Sequence, residues 1–88
     1  MKKNILITGA GKGIGKQILF DCIDNFDFVY AVIRTKKDLI DIKKIINTNK
    51  CKLYFGDISN INLIKKILND SKIINKEINC LVNNAGER

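Results

Sequence analysis

There is no histidine in these 88 residues, and the three cysteines, Cys22, Cys51 and Cys80, form no CxxC pair. A zinc site draws on a close set of such ligands, so no metal centre is expected. An odd number of widely spaced cysteines also argues against a disulfide framework. They read as small buried apolar residues in a reducing compartment. No apolar run approaches membrane-spanning length. The opening, Met1-Lys2-Lys3 and then Ile5-Leu6-Ile7, has the charge of a secretion signal, but Thr8 and Gly9 end it after three apolar positions. That is too short for the hydrophobic part of such a signal. The expectation is a cytoplasmic protein with no membrane partner. No repeat, linker or low-complexity stretch divides the chain, so residues 1–88 read as one domain, near the small end of what folds alone.

The apolar content of 45% excludes a disordered chain. Sixteen basic residues against nine acidic give a net charge of +7, which raises a nucleic-acid reading. The lysines nevertheless fall in pairs, Lys36-Lys37, Lys43-Lys44 and Lys65-Lys66, with no single basic run and no interleaved aromatic platform. They fit the outer faces of helices, and abundant isoleucine, asparagine and lysine fit a genome rich in A and T. Nucleic acid is therefore not the expected partner.

What is present is a regular alternation. Asn4 to Thr8 is apolar and β-branched. From Ile14 to about Phe26, apolar residues recur at steps of three and four, as on one face of a helix. Phe28 to Ile33, FVYAVI, is the unbroken apolar run of a strand buried on both faces. Thr35 and Asp38 have the spacing of a helix-opening box, and Leu39, Ile42, Ile45 and Ile46 give that helix its stripe. Cys51 to Phe55 alternates, as a sheet edge would. Ser59 is placed to cap a third helix, with Ile61, Ile64, Ile67, Leu68 and Ile74 facing inward. Ile78 to Val82 forms the last strand. The order β1-α1-β2-α2-β3-α3-β4 predicts an α/β, three-layer, Rossmann-like partial parallel sheet of strand order 3-2-1-4. Ligands of such sheets bind at the carboxyl ends of the strands, where the order of winding reverses.

The stretch TGAGKGIG, Thr8 to Gly15, lies at that point. A loop between a strand and a helix N-terminus offers free N–H groups and the positive end of a helix dipole, and glycine lets a phosphate approach the backbone. A flexible turn alone needs fewer glycines. The nucleotide P-loop pattern fails, because Ala10 stands where its first glycine belongs and Gln17 where its magnesium-binding hydroxyl belongs. GxGxxG fails at Ile14 and at Lys16. What remains is TGxxxGxG, from Thr8, Gly9, Gly13 and Gly15.

That variant resembles the short-chain dehydrogenase/reductase family, in its classical branch. Three further matches follow in order: Arg34 after the second strand, Asp57-Ile58 after the third, and Asn83-Asn84-Ala85-Gly86 after the fourth. The resemblance spans essentially the whole chain and covers the family's N-terminal, cofactor-binding half. It implies hydride transfer between a nicotinamide cofactor and a carbonyl or alcohol, with 3-oxoacyl-carrier-protein reductases as one kindred group. By the same resemblance, Gly9, Ala10, Gly11, Lys12, Gly13, Ile14 and Gly15 would receive the pyrophosphate and adenosine ribose. Asp57 would accept from the adenine amino group and the Ile58 N–H could donate to the ring. Asn84, Ala85 and Gly86 would lie along the dinucleotide, with Asn83 bracing the sheet.

Charge bears on the choice of cofactor. Sites for NAD place an acidic residue after the second strand, to hold the ribose 2′-hydroxyl. Here that position holds Arg34 with Thr35 beside it, and no acid occurs until Asp38, while Lys12 adds a cation within the loop. Each charge-assisted bond to a 2′-phosphate contributes about 1.5–3 kcal/mol. NADP(H) is expected over NAD(H).

The serine and the Tyr-x-x-x-Lys pair on which the family's chemistry depends are not found: four residues after Tyr30 comes Arg34, and after Tyr54 comes Ile58. No residue carries over as catalytic. The expectation is the cofactor-binding portion of a longer reductase, inactive alone and prone to associate through its last strand, with the full-length form a homo-oligomer. Two other readings are a non-catalytic nucleotide-binding or redox-sensing module and a basic nucleic-acid-binding domain. A phosphoryl-transfer enzyme is disfavoured by Ala10 and Gln17.

Overall fold

A computed structural model describes residues 2–46 and 49–84. Strands β1 (Asn4–Thr8), β2 (Phe28–Ile33), β3 (Cys51–Phe55) and β4 (Cys80–Asn83) alternate with helices α1 (Gly13–Asn25), α2 (Lys36–Ile45) and α3 (Ile61–Ile73). All strand pairs are parallel and the order is β3-β2-β1-β4, as the alternation of elements predicts. Every residue of β1 and β2 is buried, whereas β4 alternates between half-buried and exposed positions and β3 buries only Tyr54. The two central strands are covered on both faces, which is why their sequences are unbroken apolar runs.

The pleat sends successive side chains to opposite faces. Ile5, Ile7, Val29, Ala31 and Ile33 turn to the α1 and α2 side, where they pack with Leu19, Cys22 and Ile42. Leu6, Phe28, Tyr30 and Val32 turn to the α3 side and pack with Tyr54 and Ile67. The two buried tyrosines satisfy their hydroxyls: Tyr30 donates to the Lys76 carbonyl at 2.8 Å and Tyr54 to Asp70 Oδ2 at 2.8 Å. Burial, with the Asp70 contact, raises the Tyr54 pKa far above its ordinary value. The paired lysines of α2 and α3 lie on exposed faces. Cys22 is buried and Cys51 and Cys80 are half-buried, all as free thiols, and burial pushes Cys51 up to about 11.

Four local expectations change. Ser59 does not cap α3. Its N–H donates instead to Asp57 Oδ1 at 2.9 Å, and the helix opens one residue later with Asn60 Oδ1 accepting from the Asn62 N–H. The apolar stripe of α3 is only partly inward: Ile67 is buried, but Ile61, Leu68 and Ile74 are exposed, because this single helix covers its face of the sheet incompletely. In α2, Ile45 is likewise exposed while Ile42 is buried. Finally, β4 runs from Cys80 rather than Ile78. Ahead of it, Asn79 exchanges bonds with Asn4, donating its N–H to the Asn4 carbonyl and accepting the Asn4 N–H on Oδ1.

Candidate functional site

The carboxyl ends of all four strands open on one side of the molecule, and the loop from Gly9 to Lys12 crosses that side between β1 and α1. The loop is anchored to its neighbours. Ala10 is buried and donates its N–H to the Val32 carbonyl at 3.1 Å. Asn84 donates its side-chain amide to the Gly9 carbonyl at 3.2 Å, and its backbone N–H to Thr8 Oγ1 at 3.0 Å.

Two glycines in the first turn of α1 are required for different reasons. A Cβ at Gly15 would lie 1.8 Å from the Gly9 carbonyl oxygen and 2.6 Å from Asn84 Nδ2, so only glycine lets α1 start this close to the end of β1. Gly13 has φ +60, which side chains disfavour, yet a Cβ there would meet open space. The first turn of α1 therefore packs against the loop on one side and leaves a vacant shoulder on the other.

The start of α1 also differs from the other helix starts. Thr35 Oγ1 accepts the Asp38 N–H at the head of α2, and Asn60 caps α3. Lys12, at the same place before α1, makes no side-chain capping bond, and no acidic residue lies in the first turn. Helix N-terminal N–H groups left without a cap, and carrying the positive end of the dipole, suit an anion.

Most of the other described residues singled out in the sequence follow the carboxyl ends of β2 and β3. Arg34 is exposed just beyond β2. Asp57, beyond β3, is held below the ordinary carboxylate range by the Ser59 amide first, then the Ser59 hydroxyl, with the Arg34 charge contributing. Ile58 is half-buried and, like Leu63 and Ile78, packs against the α3 side of the core. Ile14, in the first turn of α1, is 74% exposed. Thr35 is occupied in capping α2. Ala85 and Gly86 lie outside the described residues. Among the described residues no group of histidine, cysteine, aspartate and glutamate could hold a metal ion.

One contact was not foreseen: Lys12 Nζ lies 3.8 Å from Asp38 Oδ2. The two are 26 positions apart, and only the docking of α2 beside the loop brings them together. The sequence signal was Asp38 at the fourth place of the Thr35 helix-opening box, which aims it back toward the helix start.

A family profile described as short chain dehydrogenase matches residues 3–88. The uncharacterized oxidoreductase YIR035C of Saccharomyces cerevisiae is 35% identical over 89 residues, covering 98% of this chain and 34% of that protein. Its crystal structure superposes with a TM-score of 0.81, covering 97% of this chain. The benzil reductase ((S)-benzoin forming) IRC24 of the same yeast is 31% identical over 88 residues, again 98% of this chain and 34% of that protein. A tyrosine-to-phenylalanine variant of ElxO, solved with NADPH bound, is 31% identical with a TM-score of 0.77, covering 99% of this chain and 36% of its own. The chain thus spans about a third of the length of the relatives it matches.

Proposed function

From the premise that this chain belongs to the short chain dehydrogenase family, we propose that it binds NADP(H) over the glycine loop as the cofactor-binding part of a carbonyl or alcohol oxidoreductase. The observation that carries the reading is the uncapped N-terminus of α1 beneath a loop that is bonded into the ends of β1, β2 and β4. Its fit to a dinucleotide is supported by the vacant space beside Gly13, which a side chain would fill. The NADPH found with the ElxO variant is consistent with it.

In this proposal the N–H groups between Gly9 and Gly15 hold the pyrophosphate, as helix dipole and open donors favour. The Asp57 carboxylate accepts from the adenine amino group and the Ile58 N–H donates to the ring. Arg34 and Lys12 meet the 2′-phosphate, beside Thr35. Asn84, Ala85 and Gly86 run along the cofactor. A bound nicotinamide would supply the hydride. The described tyrosines take no part in proton transfer, since Tyr30 is fully buried, Tyr54 is nearly so, and both hydroxyls are engaged.

The test is a calorimetric titration of the 88-residue chain with NADPH and NADH, alongside amide chemical shifts. Saturable binding with shifts at Gly9, Gly11, Gly13 and Gly15 is expected, tighter for NADPH. No heat and no shift with either nucleotide would overturn the proposal. Equal affinity would remove the preference for NADP(H) while leaving the site.

A further inference from the structure

The ion pair between Lys12 and Asp38 sits where the cofactor preference would be decided. Its two members are unequal: the Asp38 side chain is 19% exposed and the Lys12 side chain 79%. The carboxylate is held in place from two directions. The Asp38 N–H donates to Thr35 Oγ1, which fixes the first turn of α2. Its Cβ and Oδ2 lie 3.0 and 3.3 Å from where a Cβ on Gly11 would stand, so the carboxylate abuts the loop backbone. The ammonium, on a long exposed stem, is free to swing.

We propose that Asp38 is a specificity-determining residue, which competes with a 2′-phosphate for Lys12 and so limits the preference for NADP(H) over NAD(H). The inference rests on the reading that the loop takes a dinucleotide. A phosphate approaching Lys12 must draw the ammonium off a fixed carboxylate and then stand near that carboxylate, two like charges sharing one cation. A ribose 2′-hydroxyl meets no such penalty, since it can donate to the same carboxylate. Asp38 therefore opposes the effect of Lys12 and Arg34. A pair at 3.8 Å whose ammonium is solvated is weak and easily exchanged, so the effect is one of degree.

The experiment uses the 88-residue chain and two adenosine fragments, 2′,5′-ADP and 5′-AMP, titrated calorimetrically. Asp38→Asn keeps the size of the side chain and the packing on Gly11. It is expected to bind 2′,5′-ADP about threefold to tenfold tighter, with no gain for 5′-AMP. In a Lys12→Met background the gain is expected to shrink to what relief of the direct carboxylate–phosphate repulsion leaves, because the cation under competition is gone. Asp38→Ser, also compatible with a first helical turn, serves if the asparagine variant alters the thermal melt. An equal change for both fragments, no change, or a gain undiminished in the Lys12→Met background would overturn the proposal. If the unaltered chain binds neither fragment, the dinucleotide reading itself fails, an outcome distinct from these.

Discussion

The backbone N–H of Asn84 donates to the Thr8 hydroxyl at 3.0 Å, and that hydroxyl donates to Asn83 Oδ1 at 2.9 Å. Thr8 is the last residue of β1 and is 1% exposed; Asn83 is its register partner on β4. One hydroxyl thus fastens the ends of the two strands between which the glycine loop departs. Thr8→Val keeps the shape and removes both bonds. It is expected to cost about 1–2 kcal/mol of stability, read from the midpoint of urea unfolding, while Thr8→Ser retains most of it.

Gly15 and Gly13 separate packing from conformation. At Gly15 a methyl group would overlap the Gly9 carbonyl, which is backbone and cannot turn aside. Gly15→Ala is expected to destabilise by about 2–4 kcal/mol and to weaken NADPH binding more than tenfold. At Gly13 the methyl has room, and only the positive φ opposes it. Gly13→Ala is expected to cost about 1–2 kcal/mol. Thermal melts and nucleotide titrations of both variants check the ordering. A milder effect at Gly15 than at Gly13 would contradict the close approach of α1 to the loop.

Arg34 stands exposed just beyond β2 and takes no part in the hydrophobic core. Arg34→Ala is therefore expected to leave the thermal melt unchanged. If it meets the 2′-phosphate, NADPH affinity falls about tenfold or more while NADH affinity holds. Parallel titrations decide the matter, and an equal loss for both nucleotides would place Arg34 elsewhere on the cofactor.

Tyr54 and Asp70 link stability to both ends of the pH scale. The Tyr54 hydrogen bond, with Lys66 and Lys52 nearby, holds the Asp70 carboxyl below its ordinary range. A carboxylate depressed in the fold contributes stability that is present above its unfolded pKa and lost as pH falls through the folded value. Asp27, bonded to the Lys3 amide, and Asp57 act in the same direction. Tyr54 is raised, so its contribution is present below the unfolded tyrosine value near about 10 and is lost as pH rises through the folded value. Tyr54→Phe is expected to cost about 1 kcal/mol at neutral pH and to flatten the loss of stability above pH of about 10. Denaturation midpoints across the pH range test it, and an unchanged alkaline limb would exclude the Tyr54 contribution.

Much of this architecture was legible because its signals are local. FVYAVI announces a strand with two covered faces, and the Thr35 box announces the start of α2. Alternation pointed to a parallel sheet with 3-2-1-4 as its simplest order, and the handedness of crossovers then assigned each helix a face. Less legible were features that arise only when elements meet. The exposure of Ile61 and Leu68 depends on how much sheet one helix can cover, which their spacing does not encode. Ser59 and Asn60 are both good caps, and the bond from Ser59 to Asp57 decides between them. The close contact of Gly15 with Gly9 and the Lys12–Asp38 pair needed coordinates.

Leu81 offers the last test. It sits on β4, which among the described residues pairs with β1 alone, and it is 62% exposed. With Leu6, Ile58, Ile64, Leu68 and Ile78 it borders an apolar cavity of about 300 Å³ between β4 and α3. An open strand edge beside an apolar hollow favours association, because it offers both unpaired backbone groups and surface that water solvates poorly. The 88-residue chain is therefore expected to sediment as larger species as its concentration rises. Leu81→Lys places a charge on that edge without touching the core of β1 and β2. It is expected to shift the sedimenting species to monomer with little change in the thermal melt. A wild-type chain that stays monomeric across the range would show that this face is adequately solvated as it stands.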